Sequence, residues 1–177
     1  MLAPRKKLWS TPERAVTAAI DFVAPFKEED VVYDVGCGDG RVLIKFAMLE
    51  GTSTRTKFVG VEIDEDRANE ARENVEREGL SQRIVILCEN ALMVDYSDAT
   101  VVFLYLIPRG LRLIKPILLG EEGKRGGGRR IKIVTYMSEF EGETFVRKVN
   151  VEPEHQKGAG WPVHLYELEA QEASLTG

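Results

Sequence analysis

Short apolar runs, rich in β-branched residues, alternate along this chain with longer stretches whose apolar positions recur every three or four residues. The runs VVYDV (31–35), FVGVEI (58–63), RIVILC (83–88), TVVFLYLI (100–107) and IKIVTYM (131–137) predict five strands, the fourth stopped by Pro108. The first is apolar on both faces, as a central strand must be. Between them, RVLIKFAMLE (41–50) predicts a helix. Asp64 or Asp66 opens a longer polar helix that runs through Glu78 and is closed by Gly79; only Ala68, Ala71 and Val75 mark its inward stripe. GLRLIKPILL (110–119) reads as helical, with Pro116 kinking or ending it. Ahead of the first strand, Thr11 caps a helix whose first position is Pro12. Ser10 with Glu13 offers a capping box one residue earlier. Val16, Ala19, Ile20 and Val23 share one face of that helix, and Pro25 ends it. Late in the chain, ETFVRKVNV and VHLYELE alternate at period two and predict an antiparallel pair.

Strands alternating with helices imply an α/β fold: a three-layer, doubly wound, mostly parallel sheet with right-handed crossovers and an antiparallel C-terminal edge hairpin. The 177 residues read as one domain over 1–177, with an N-terminal arm over 1–9 and a flexible, glycine-rich loop over 120–130. Ligands on such sheets sit outside the carboxyl ends of the strands. Asp34–Gly40, Glu62–Asp64, Cys88–Leu92 and Tyr105–Pro108 therefore share one rim.

Composition narrows the picture little: 44% apolar and 30% charged is an ordinary balance. The net charge of −5 disfavours a dedicated nucleic-acid binder, and Arg5, Lys6 and Lys7 read as a solvated end. Two cysteines, Cys37 and Cys88, make neither a disulfide scaffold nor a zinc spacing, and no metal constellation stands out. No apolar run reaches the roughly 18 residues of a membrane span, and MLAPRKKLWS lacks a secretory core, so the expectation is cytoplasmic with no membrane partner.

The stretch DVGCGDG carries the chemistry. Gly36, Gly38 and Gly40 allow a strand-to-helix turn with positive φ and close approach of a ligand to the backbone. The dinucleotide fingerprint spaces its glycines G-x-G-x-x-G and seats a pyrophosphate. Here the spacing is G-x-G-x-G, with Asp34 before the turn and Asp39 inside it. Those carboxylates repel a pyrophosphate and welcome an ammonium. Glu62 closes the second strand, where an acidic residue takes both hydroxyls of an adenosine ribose. Ile63 is placed to lie on the purine, Asn90 to meet the adenine amino edge, and the N–H of Ala91 or Leu92 a ring nitrogen. An amino acid joined to adenosine is S-adenosylmethionine.

DVGCGDGR, VGVEID, CENAL and VVFLYLIPRG together resemble the class I, seven-strand S-adenosylmethionine-dependent methyltransferases, from Thr11 to Glu169. STPERAV ahead of the first motif, with YLIP later, resembles a small group that includes lysine-directed protein methyltransferases. The resemblance implies that Asp34, Gly36, Gly38 and Gly40 hold the methionine half, Glu62 the ribose and Asn90 the adenine edge. Cys37 reads as a space-filler beside the cofactor, and the resemblance to relatives with a hydroxyl residue just upstream of the first helix implies that Thr11 meets the cofactor carboxylate. The product is then S-adenosylhomocysteine.

Structural alternatives stand beside these roles. The glycines serve a tight turn, Glu62 is a solvated strand end, Asn90 caps the next turn, and Asp39 either caps the helix or meets ligand. Tyr105 is either a packed strand tyrosine or the wall of the acceptor slot, with the carbonyls of Leu106 and Ile107. Trp9 and Trp161, each in a loop, pack or wall that slot; His155 and His164 are surface or edge-strand residues. The Asn/Asp-Pro-Pro-aromatic run typical of amide and base methylation is replaced by Tyr105-Leu106-Ile107-Pro108, which favours a more basic amine. The expected reaction is N-methylation of a protein lysine; the alternatives are a small-molecule or RNA acceptor, or a non-catalytic cofactor-binding module.

Overall fold

The computed structural model describes residues 10–120, 128–154 and 158–170. The arm 1–9 with Trp9, most of the loop 120–130 and His155 lie outside the described residues. Among the described residues, four helices and seven strands follow one another: α1 (Glu13–Val23), β1 (Val31–Val35), α2 (Arg41–Met48), β2 (Lys57–Glu62), α3 (Glu65–Arg77), β3 (Ile84–Cys88), a 3₁₀ turn (Ala91–Met93), β4 (Val101–Leu104), α4 (Pro108–Leu119), β5 (Arg129–Tyr136), β6 (Arg147–Val151) and β7 (Trp161–Ala170).

The strands form one sheet in the order β3-β2-β1-β4-β5-β7-β6. The first five in that order run parallel, and β7 is antiparallel to both β5 and β6. The chain winds outward from β1 to β3, then returns to β4 on the other side of β1. The switch point therefore lies between β1 and β4, where a crevice must open. Strand alternation splits the core in two. Val32, Phe58, Ile86 and Phe103 face the layer of α1, α2 and α3; Tyr33, Val35, Val61 and Leu104 face α4. The three-layer, mostly parallel architecture with an antiparallel edge is the one the sequence pattern predicts.

Several local expectations are corrected. Neither proposed cap operates on α1: the helix starts at Glu13, Pro12 is its N-cap residue, and no side chain caps it. Thr11 is instead drawn inward and buried, while the free N–H of Arg14 donates to Glu154 Oε1 at 3.3 Å. β4 stops at Leu104, because β1 beside it has already turned into the glycine loop and offers no partner beyond the Val35–Leu104 pair. Pro116 does not end α4, which begins at Pro108 and runs to Leu119. A proline removes one helical hydrogen bond, but here Leu111, Ile114, Leu118 and Leu119 are all buried and hold the last turn in place. β5 starts at Arg129, inside the segment expected to be loop. Trp161 opens β7 and is not in a loop. His164 is fully buried, not superficial: β7 lies between β5 and β6, so His164 is covered from both sides.

The candidate cofactor crevice

The turn after β1 adopts the backbone its glycines permit: Gly36, Gly38 and Gly40 have φ of 82°, 57° and 79°. The N–H groups of Gly36 and Cys37 both donate to the Val61 carbonyl, at 2.7 and 3.0 Å, which fastens the turn to β2. Its crown is held by Glu62, whose Oε2 accepts the Gly38 N–H at 3.0 Å. Oε1 of the same carboxylate accepts the N–H of Ile63 at 2.9 Å and of Asp64 at 3.0 Å. Glu62 is only 4% exposed, so these three N–H groups make it a fixed buttress and not a solvated strand end.

Asp34 stands one pleat below the turn and is 2% exposed. Its Oδ2 is buried with no hydrogen-bond partner among the described residues. Burial, with the charges of Glu62 and Asp39 adding to it, pushes this carboxyl up to about 8, against the pull of Arg67. Such a group holds its proton at neutral pH until a cation arrives. An orphaned carboxyl oxygen beside glycine backbone is the feature an α-ammonium satisfies, so the residues present fit the amino-acid end of S-adenosylmethionine.

The other predicted residues divide. Asp39 is turned to Arg41, accepting its backbone N–H at 3.2 Å and its Nε at 3.0 Å. Burial alone would raise its carboxyl, but Arg41 outweighs that and holds it below the usual range. Gly40 serves helix packing: a Cβ there would meet the Cβ of Ala71 at 3.4 Å, so glycine lets α2 lie against α3. Cys37 points into the sheet, where a Cβ on Gly60 would meet its Sγ at 2.7 Å. Burial pushes that thiol up, leaving an inert space-filler. Asn90 caps the 3₁₀ turn, its Oδ1 accepting the Leu92 N–H at 3.0 Å. Ala91 is held at the rim by the Tyr96 hydroxyl, which donates to its carbonyl at 2.9 Å. The Glu89 N–H donates to the Glu62 carbonyl at 3.0 Å and joins the third corner to the second. Ile63 is 65% exposed and Met93 74% exposed, two bare apolar side chains on neighbouring corners that suit a flat purine. Thr11, though buried, has no hydrogen bond to the turn among the described residues.

At the fourth corner, Leu106 borders the turn: a Cβ on Gly36 would lie 3.5 Å from its Cδ2. Tyr105 is half-buried, its ring 4.8 Å from that of Tyr136 and tilted by 62°. Burial holds its phenol above the usual value, so it stays a neutral donor and acceptor. Sequence reasoning missed Met93 and Arg67 here, and took from Leu106 only its carbonyl. Arg67 reads as one more charge on a polar helix, but its guanidinium lies over Gly38, with Nη1 3.6 Å from Glu62 Oε2. Its place in the first turn after the Asp64 cap was the available signal.

Among the described residues no group of ligating side chains is arranged for a metal, and no helix is long and apolar enough to cross a membrane.

Known proteins share this architecture. A protein-lysine N-methyltransferase of Saccharolobus islandicus is 40% identical over 108 residues, covering 61% of this chain. The match spans 65% of that relative's length, just under two thirds. An RNA methyltransferase from Salinibacter ruber, crystallised with S-adenosyl-L-homocysteine, superposes with a TM-score of 0.74 at 29% identity, covering 94% of this chain and 97% of that one. A SAM-dependent O-methyltransferase from Thermotoga maritima has a TM-score of 0.67 at 17% identity over 96% of this chain and 70% of that one, a likeness of fold alone. Residues 34–136, from the crevice aspartate to the end of β5, match the ANTKMT methyltransferase domain. The chain therefore belongs to the ANTKMT methyltransferase domain family, enzymes of the class I, S-adenosylmethionine-dependent fold.

Proposed function

We propose that this chain is a single-domain enzyme that transfers the methyl group of S-adenosylmethionine to the side-chain amine of a protein lysine. The observation that carries the methyl-donor reading is the partnerless Oδ2 of Asp34, buried beneath a glycine turn that Glu62 buttresses. Asp34 takes the α-ammonium, the backbone of Gly36 and Gly38 lies along the methionine chain, and Glu62 takes the ribose hydroxyls. Ile63 backs the purine, and Asn90 and Ala91 border its edge; Cys37 and Gly40 support from behind. Thr11 meets the cofactor carboxylate.

Bound S-adenosylmethionine supplies an electrophilic methyl on a positively charged sulfur. The chain's residues then have to align an uncharged amine with that methyl and exclude water. Tyr105, with the carbonyls of Leu106 and Ile107, walls the slot for the amine. The lysine acceptor is supported by the Saccharolobus relative and by the absence of the amide-methylating motif at Tyr105–Pro108. An RNA acceptor is the second reading, favoured by the Salinibacter neighbour and opposed by the net charge of −5. A reduced, cytosolic setting fits the two free cysteines.

The test is incubation with tritiated S-adenosylmethionine and cell lysate, followed by mass spectrometry of labelled material. Label on lysine in protein supports the proposal. Label in RNA or a metabolite moves the acceptor to the second class, and tight NAD binding with none for the sulfonium compound removes the methyl-donor reading altogether.

A further inference from the structure

Three carboxylates, Asp34, Asp39 and Glu62, crowd the glycine turn, and a cation already lies among them. Arg67 is the third residue of α3; its N–H donates to Asp64 Oδ1 at 3.1 Å. Its side chain reaches back over the N-terminal end of the helix, as helical side chains do. Nη1 lies 3.6 Å from Glu62 Oε2, with the arginine side chain 25% exposed and the glutamate side chain 5% exposed. A methyl group built on Gly38 would collide with Arg67 Nη2 and lie 3.2 Å from Cζ. The guanidinium thus occupies the space that the absence of a side chain at Gly38 opens. Its charge also opposes the effect of burial on Asp34 and Cys37.

We propose that Arg67 is a built-in stand-in for the cofactor at Glu62, covering the Gly38 turn in the unliganded enzyme and withdrawing when the methyl donor seats. The proposal rests on reading this crevice as the methyl-donor site. Two physical consequences follow. First, binding has to break the Arg67–Glu62 pairing, so part of the donor's affinity is spent on displacement. Second, a guanidinium that stays near the crevice disfavours a positively charged sulfur more than a neutral one. Arg67 therefore tilts the enzyme away from substrate and toward S-adenosylhomocysteine. The partial exposure of its side chain leaves a route outward along α3.

The test compares the wild-type chain with Arg67→Met and Arg67→Lys by calorimetric titration and by thermal melting. Methionine keeps helix propensity and length while removing the charge. Arg67→Met is expected to bind S-adenosylmethionine about threefold to tenfold tighter than wild type, as expected for losing one partly exposed ion pair. Its gain for S-adenosylhomocysteine is expected to be smaller, and without ligand it melts lower, because the carboxylates lose their counter-ion. Arg67→Lys restores the wild-type order. Equal or weaker S-adenosylmethionine binding by Arg67→Met, or an unliganded melt that does not move, overturns the stand-in while leaving the methyl-donor site intact. A wild-type chain that binds neither compound sinks that site and this proposal together.

Discussion

Glu62 Oε2 accepts the backbone N–H of Gly38 at 3.0 Å, so the end of β2 holds the crown of the turn that follows β1. One carboxylate both shapes the crevice and, in the proposed function, faces the ribose. Glu62→Ala is expected to lower S-adenosylmethionine affinity by about 1–3 kcal/mol, the range for losing a partner of a charged group. Calorimetric titration measures it. Affinity unchanged from wild type would place the cofactor elsewhere.

Asp34 predicts a pH dependence with a definite sign. In the unfolded chain its carboxyl ionises near 3.8; in the folded, unliganded chain burial raises that to about 8. Its contribution to folding is therefore present below pH 3.8 and is lost as pH rises through about 8. Asp34→Asn should remove that loss, raising the unliganded melting midpoint at slightly alkaline pH by roughly 2–4 °C for each kcal/mol recovered. The same substitution should weaken cofactor binding. In the wild type, an ammonium arriving on Asp34 expels its proton. Titrations in buffers of different ionisation enthalpy should report proton release below about pH 8. Binding with no proton exchange near neutrality would contradict the pairing.

Tyr105 packs edge-on against Tyr136, with ring centroids 4.8 Å apart, at the mouth of β4. If it walls the acceptor slot, Tyr105→Ala lowers kcat/KM for the acceptor about 10–100-fold, the cost of a misplaced nucleophile. Cofactor Kd should move less than about twofold. Tyr105→Phe keeps the wall and should retain more activity. A matching loss of cofactor affinity in Tyr105→Ala would show a collapse of the rim instead.

His164 is buried between β5 and β6, with Nδ1 3.4 Å from Thr135 Oγ1 and Nε2 3.6 Å from a Glu139 carboxylate oxygen. Burial, reinforced by Lys148, holds the imidazole below its usual 6.5, against the pull of Glu139. The unfolded chain then takes up a proton more readily than the folded one. This contribution is present above pH 6.5 and is lost as pH falls toward the folded value. Urea midpoints at about pH 7.5 and 5.5 should show wild type losing stability relative to His164→Phe. Parallel curves would contradict it.

Much of this molecule is legible along the chain because it depends on neighbours only a few residues apart. The VVYDV run makes a central strand through its β-branched pattern. The glycines at 36, 38 and 40 permit a left-handed turn wherever the strand lies, and the Ala68–Ala71–Val75 stripe faces inward as its spacing demands. The acidic end of β2 beside the glycine turn follows from alternation of strand and helix, since parallel neighbours bring their carboxyl ends to one rim. Tertiary structure decided the rest. β4 ends at Leu104 because its partner β1 turns away, although the apolar run continues to Ile107. α4 passes through Pro116 because buried leucines on either side outweigh one missing hydrogen bond. His164 is covered only because β7 inserts between β5 and β6, and Arg67 reaches Gly38 only because β1 and β2 are neighbours. Local spacing governs backbone conformation within a turn or two, whereas burial and charge pairing depend on which distant segments the sheet order brings into contact.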